Sequence, residues 1–199
     1  MIAQNGDPRK PEIAAAQQYF AVQTRRQELS DALAADVERL ELRKQAGEEF
    51  KALSGAAHAA GVESRMFGVC HDAGYKGLYG GLGNEAIKAR KGIPAKDALM
   101  DRMNATELAA NQFRMTQTRD KLMRESVKDQ QSAIRTHESV GREVRDAIKR
   151  IGGALPEAIP PAEHIKAVEK RVKTVRPKLA LDETCAAGLL GADVAPKKG

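Results

Sequence analysis

Aromatic residues, cysteines and long apolar runs are all scarce in this sequence of 199 residues. With no Trp, four Phe and three Tyr, a large globular core is not expected, and a thin aliphatic seam between helices is favoured. Cys70 and Cys185 are too few for a disulfide scaffold and fit a reduced, cytoplasmic protein. The sequence lacks the run of about 18 apolar residues that a membrane span needs. Its first 13 residues lack the apolar segment of a signal peptide.

What the chain has in abundance is helix-forming and charged residues. Ala, Leu, Glu, Lys, Arg and Gln dominate, which favours helices. The net charge of +6 permits contact with nucleic acid without requiring it. The basic residues between positions 166 and 178 form either a solvated helix face or an electrostatic footprint for a polyanion.

The first 54 residues predict one long helix, with Asp7 as its N-cap and Pro8 at its first helical position. A helix of this length cannot be covered by a small globule, so its apolar seam predicts coiled-coil pairing, most simply in a homodimer. A break near residues 30 to 35 would instead allow a hairpin of two helices. A stripe of residues recurs at steps of three and four along it, and Arg26 is its one charged member. Its apolar members are Ala15, Tyr19, Val22, Leu29, Leu33, Val37 and Leu40.

Further helices are predicted downstream, separated by Gly and Pro. One helix follows Asn84, a second covers residues 95–103, and a third begins at the capping box formed by Asn104 and Glu107. A helix over residues 129–151 and one opened by Pro161 complete the set.

Residues 61–83 break this pattern, because seven of the 17 glycines lie there. The alternation of Phe67, Val69 and His71 ahead of Gly74 predicts a small β-hairpin with a left-handed glycine in its turn. The predicted fold is therefore mainly α, an elongated helical bundle with a long N-terminal helix and one small Gly-rich β-hairpin. The same glycines, with Lys76, would suit a phosphate, but they match no phosphate-binding fingerprint, so the hairpin interpretation is preferred.

Composition shifts predict four segments. Residues 1–60 form the long helix and a possible dimerisation element, and residues 61–153 form the hairpin and helical core. Residues 154–181 form a Pro-containing linker and a C-terminal helix, and residues 182–199 form a disordered tail.

Residues 84–103 permit two interpretations. As a helix-turn-helix they would place cations of the first helix on phosphates, but Asp97 and Asp101 on the second helix would repel them, so a plain pair of helices is preferred. The cations concerned are Lys88, Arg90 and Lys91.

Neutral polar residues crowd the helix that follows, between residues 111 and 118. A hydrogen-bonded layer between helices is slightly preferred over a partner-binding face that would include Arg114 and Arg119. His137 lies on an apolar stripe and is expected to be a core histidine, with Gly141 marking a close helix approach.

No motif in the sequence predicts catalysis, a cofactor or a metal. The contiguous residues Cys70, His71 and Asp72 would splay their side chains rather than converge on an ion. The expectation is a protein that is not an enzyme, with no cofactor and no metal.

Several segments occur together in a fixed order: DPRKPE at residues 7–12, YFAVQTRRQEL at 19–29, GYKGLYGG at 74–81 and IKARKGI at 87–93, with shorter ones between 106 and 145. In these the chain resembles the DNA-damage-inducible protein D family, from about residue 7 to about residue 175. The resemblance implies a non-enzymatic bacterial protein of the SOS response, associated with RecA recombinase activity on single-stranded DNA. Family members usually carry an N-terminal domain of the BRO or antirepressor type. This chain is expected to begin after that domain, as a short form, a mobile-element relative or an excised piece.

The first functional hypothesis is a regulator that binds a RecA-type filament or another DNA-metabolism protein. The alternative is direct binding to single- or double-stranded DNA, or an antirepressor-like role in transcription. No membrane contact is expected. The residues predicted to contact the partner or nucleic acid are Tyr75, Lys76, Tyr79, Lys88, Arg90, Lys91, Arg114 and Arg119.

Overall fold

The computed structural model describes residues 9–177, which are mainly helical and contain no β-strand. The mainly α prediction is confirmed. Asp7, predicted as a helix cap, and the predicted tail at 182–199 lie outside the described residues. No helix in the described part has both the length and the apolar character needed to cross a membrane. The helices are α1 (Pro11–Ala59), α2 (Phe67–Leu78), α3 (Asn84–Lys91), α4 (Ala105–Arg124), α5 (Gln130–Arg150) and α6 (residues 165–177).

The chain divides into two compact units. The larger one spans Glu38–Val168 and holds the hydrophobic core and every residue of the candidate site. The smaller one combines the chain up to Val37 with the chain from Glu169 onwards. Within the smaller unit, the Arg171 guanidinium contacts both carboxylate oxygens of Asp36, at 2.6 and 2.8 Å. The four-segment division from composition stays a prediction.

Two helices of the larger unit begin at side-chain caps. The Asn104 side chain accepts a hydrogen bond from the Glu107 backbone N–H at 2.9 Å and starts α4. Asp129 accepts one from the Ser132 N–H at 2.8 Å and starts α5. These caps satisfy backbone donors that a helix leaves open at its N-terminus. The predicted start of α4 at Asn104 is confirmed.

The predicted β-hairpin is wrong, because its residues form the helix α2. Gly80 does adopt the left-handed conformation, with φ of 63°, but it ends a helix instead of turning a hairpin. The Gly81 N–H donates to the Lys76 carbonyl at 2.7 Å, the bond that closes a helix in a Schellman motif.

The glycines inside α2 serve close packing against α5. A Cβ on Gly77 would lie 2.9 Å from the Gly141 Cα and 3.0 Å from the Arg142 nitrogen, and closer still to the Glu138 carbonyl. Gly74 lies one turn earlier. The side chains of Arg114 and His137 occupy the space that a Cβ on Gly74 would need. Small residues at this spacing let two helix backbones approach closely. The close helix approach predicted at Gly141 is thus confirmed.

The second helix of the proposed helix-turn-helix, over residues 95–103, is also wrong. Only one turn of 3₁₀-helix forms there, Leu99–Arg102. The Arg39 guanidinium donates to the carbonyls of Met103 at 2.8 Å and Asp101 at 3.1 Å. Because an arginine from α1 satisfies these carbonyls, the segment needs no further helical turn, and it offers no recognition helix for DNA.

Replacing Gly77 by Ala is expected to destabilise the protein by about 3 kcal/mol, because the added methyl group meets backbone atoms of α5 that cannot move aside. Urea unfolding followed by circular dichroism measures the change. The matched control is Gly68→Ala in the same helix, where an added Cβ meets nothing within 4 Å. The control should be as stable as the parent or slightly more so. Equal stability of the two variants would contradict the packing described.

Candidate functional site

The eight residues predicted to contact a partner lie in three environments. Tyr75, Tyr79 and Arg114 are at most 7% exposed and belong to the core. The side chains of Lys88 and Lys91 are 11% and 3% exposed, each held by internal acceptors. The other three lie nearer the surface. For all eight residues, a role in binding stays a prediction.

Of these three, Arg119 is partly buried and pairs with Glu49 at 2.6 Å. Lys76 is half exposed and pairs with Asp72 at 3.0 Å. Arg90 is exposed at the end of α3. Lys76 and Arg90 are therefore the predicted residues that reach solvent most freely.

A continuous chain of buried polar groups joins α3, α4, α5 and α2. We call it the buried polar chain; in order it comprises Lys91, Glu107, Tyr79, Asn111, Arg114 and His137. Lys91 pairs with Glu107 Oε1, which also accepts from the Tyr79 hydroxyl at 3.0 Å. Asn111 donates to the Tyr79 oxygen at 3.1 Å and accepts from Arg114 Nη2 at 3.1 Å.

The buried polar chain ends at His137, and the role of each ring nitrogen follows from its partner. Arg114 Nη1 contacts Nε2 of His137, and because a guanidinium can only donate, Nε2 accepts. Nδ1 then carries the proton and donates to the Cys70 carbonyl at 2.8 Å. Burial and the Arg114 charge hold the pKa of His137 well below its ordinary range, so the ring is neutral. The core histidine predicted from the sequence is confirmed.

Arg114 is fully buried, and it forms no ion pair with a carboxylate of the described residues. Its neighbours are the neutral acceptors of Asn111 and His137, and the ring of Tyr75 with its centroid 5.1 Å from the guanidinium carbon. Burial lowers its pKa below the ordinary value. Its Nε makes no hydrogen bond in the described structure. Neutral groups and an aromatic face thus hold a positive charge inside the domain.

Several of the neutral polar residues in α4 make hydrogen bonds inside the domain. Asn111 and Thr118 are fully buried, and Gln112 hydrogen-bonds Gln45 of α1 at 3.3 Å. The Thr118 hydroxyl donates to the Arg114 carbonyl at 2.8 Å. The preferred prediction, a hydrogen-bonded layer between helices, is confirmed for Asn111 and Gln112.

Beside this core, on the outer side of α2, lies a cavity of about 560 Å³ that the sequence did not predict. We call it the α1–α3 pocket. Its walls are mostly apolar, and three cationic side chains line it together with the carboxylate of Asp72. Residues from α1, α2, α3 and the segment before Met103 contribute: Arg43, Phe50, Lys51, His71, Lys88 and Leu99.

His71 connects the pocket to the core. Its ring stacks on Phe50, with centroids 3.7 Å apart and planes 15° from parallel. The Ser54 hydroxyl donates to the Phe50 carbonyl at 2.9 Å, so at its 2.9 Å contact with His71 it accepts from Nε2. Nδ1 is then an acceptor, and it is buried without a hydrogen-bond partner in the part of the chain that the structure describes. Burial and Arg114 lower the pKa of His71 to about 4, so the ring is neutral at physiological pH.

The remaining chemistry of this region is modest. Burial raises the pKa of the Cys70 thiol to about 11, so Cys70 is a packing residue rather than a reactive thiolate. Within residues 9–177 no three His, Cys, Asp or Glu side chains converge on a metal position.

The chain is similar to known proteins of one family. The model of the DinD C-terminal domain family matches residues 33–168, nearly the same span as the larger compact unit. DNA damage-inducible protein D of Escherichia coli K12 is 48% identical over 185 residues, covering 89% of this chain and 68% of that protein. No protein of solved structure matches the chain.

The neutral state of His71 predicts a pH dependence of stability. The folded pKa of about 4 lies below the ordinary value of 6.5, so between these values the unfolded chain binds more protons. The neutral His71 ring makes its full contribution to the free energy of unfolding above pH 6.5. That contribution is lost as the pH falls towards 4, at no more than about 1.4 kcal/mol per pH unit. Urea unfolding at several pH values measures the slope, which should be shallower in His71→Gln.

The matched control is His58→Gln, because His58 is exposed near the end of α1. Carboxylates titrate in all three proteins and cancel in the comparison. His58→Gln should keep the parent slope. A His71→Gln slope equal to that of the parent would show that His71 is not held neutral.

Proposed function

Since the chain belongs to the DinD C-terminal domain family, we propose that it acts in the bacterial response to DNA damage by binding, without catalysis. The observation that carries this proposal is the 48% identity to DNA damage-inducible protein D across most of the chain. We propose further that it modulates RecA-type recombinase filaments on single-stranded DNA, in the cytoplasm. The segments 74–81 and 87–93, in which the sequence resembles the family, support this, because they contribute to α2, α3 and the wall of the α1–α3 pocket.

The surface proposed for this contact is the exposed edge of α2 and α3. Lys76 and Arg90 project there, and the net charge of +6 favours a partner that carries nucleic acid. The buried members of the predicted set act indirectly in this proposal. Arg114 and Tyr79 fix the orientation of the helices that carry the exposed cations.

The test adds the protein to RecA filaments preassembled on labelled single-stranded DNA, with the naked strand titrated in parallel. The expected result is a change in filament length or lifetime at protein concentrations that leave the naked strand largely unbound. In Lys76→Ala/Arg90→Ala the effect should weaken several-fold. The charge-matched control Arg124→Ala/Lys149→Ala removes two other exposed cations and should behave like the parent. An unchanged filament would contradict the proposal.

Direct DNA binding is the alternative function, supported by the exposed cations of α6: Lys166, Lys170, Lys173 and Arg176. It predicts equal binding to filament and naked strand. It also predicts a log–log salt slope that grows by about one for each phosphate contact. Salt-independent binding would exclude it. An antirepressor-like role in transcription would appear instead as preference for a defined duplex sequence.

A homodimer is also proposed, through the first part of α1. Tyr19, Phe20 and Val22 are 47 to 62% exposed there, an unusual density of uncovered apolar surface on one helix. Light scattering at micromolar concentration should give twice the chain mass of 21.5 kDa. Tyr19→Asp/Val22→Asp should give the monomer mass, and the control Ile151→Asp, at an apolar residue that is 81% exposed, should not. A monomeric parent protein would contradict the proposal.

A further inference from the structure

The α1–α3 pocket combines three features that suit one kind of ligand. Its walls are apolar, with the stacked rings of Phe50 and His71 and the side chains of Leu99 and Met100. His71 lines it, and the Nδ1 acceptor of that ring is buried without a hydrogen-bond partner among the described residues. Three cationic side chains also line it. Each feature requires something different from an occupant: flat apolar faces, an N–H or O–H donor at the edge, and a negative charge nearby.

The unpartnered acceptor is the most specific of these features. His71 is 7% exposed, so bulk water does not readily replace a missing partner. Its tautomer is fixed by Ser54, which occupies Nε2 and leaves the Nδ1 lone pair in the ring plane. A donor that lies edge-on to this ring would satisfy Nδ1. An aliphatic side chain in the pocket would leave it unsatisfied.

The charges around the pocket favour an anion. Arg43, Lys51 and Lys88 line it against one carboxylate, Asp72. Asp72 is engaged already, since it accepts from the Asn84 N–H at 2.6 Å and pairs with Lys76. Lys51 is exposed and forms no ion pair among the described residues. Arg43 and Lys88 are engaged as well, since Arg43 pairs with Asp101 at 2.7 Å and Lys88 pairs with Glu85 at 3.4 Å. Among the described residues, Lys51 is therefore the lining cation that is left to attract an anion.

From these observations we propose that the α1–α3 pocket binds an unstacked nucleobase of single-stranded DNA. The base lies between the apolar walls with an N–H edge towards His71 Nδ1, and a flanking phosphate lies by Lys51. Every DNA base carries an N–H donor on its Watson–Crick edge, so sequence preference is weak. Single-strand binding proteins commonly combine apolar or aromatic contact to a base with cations along the backbone. The proposal rests on the proposed function only in choosing DNA as the nucleic acid.

The experiment uses the full chain and a short single-stranded oligonucleotide with one 2-aminopurine, whose fluorescence falls when the base enters an aromatic environment. The parent protein should give a saturable change. Gly68→Leu should weaken binding at least tenfold, because Gly68 lines the pocket and a Cβ there meets nothing within 4 Å. The larger side chain therefore fills the pocket and leaves the helix packing intact.

Two controls are built into the chain. Gly55→Leu makes the same substitution at another exposed helical glycine with nothing within 4 Å, outside the pocket, and should bind like the parent. Lys51→Gln should weaken binding several-fold and reduce the salt slope by about one, whereas Lys44→Gln, on the same helix but not in the pocket, should not. Circular dichroism verifies that each variant is folded.

Three outcomes would overturn the assignment. One is equal affinity of the parent and Gly68→Leu for the oligonucleotide. Another is equal affinity, measured by competition with the labelled strand, for a strand of the same length that is abasic at every position, since a phosphate site needs no base. The third is a filament effect that Gly68→Leu abolishes while neither protein binds the naked strand, which would show that the pocket takes a protein segment. Because the oligonucleotide assay contains no RecA, a negative result in it leaves the filament proposal standing.

Discussion

The positive charge of Arg114 inside the domain is the constraint on which the rest of the structure depends. A buried guanidinium needs acceptors, and here they come from different helices: Asn111 within α4 and His137 of α5. His137 passes the connection to α2 by donating to the Cys70 carbonyl. Gly74 supplies the space, because a side chain there would occupy the position of the guanidinium. Helix packing and charge accommodation are therefore one arrangement rather than two.

The same charge acts on the pocket on the other side of α2. Arg114 contributes to the low pKa of both His137 and His71, and so favours the neutral rings whose nitrogens serve as acceptors. At His137 the accepting nitrogen is used within the core. His71 lines the pocket, and its accepting nitrogen is buried without a hydrogen-bond partner among the described residues. A core built around Arg114 thus prepares an acceptor for a ligand, and the rigid packing of α2 holds that acceptor in place.

The sequence predicted the local features and missed those that depend on distant partners. The start of α4 followed from Asn104, and the core position of His137 followed from an apolar stripe, since both are signals within one helix. The glycines of α2 predicted a hairpin because nothing in the neighbouring sequence explains Gly74 and Gly77. Their absent side chains are explained only by the contact of α2 with α5. Arg114 was assigned to a surface for the same reason: the residues that accommodate it lie elsewhere in the chain. The spacing of Gly74 and Gly77 on one helix face, matched by Gly141, was the signal that could have corrected both.

The most direct test of this account is a long-range ¹H–¹⁵N NMR spectrum of the histidine side chains near pH 7, with His71→Gln and His137→Gln to assign the signals. It reports which ring nitrogen carries a proton. We expect two neutral rings of opposite tautomer. His137 is protonated on Nδ1, since its Nε2 accepts from Arg114, and His71 is protonated on Nε2, which leaves its Nδ1 as a buried acceptor. A doubly protonated His137, or one protonated on Nε2, would contradict the way in which the core holds the Arg114 charge.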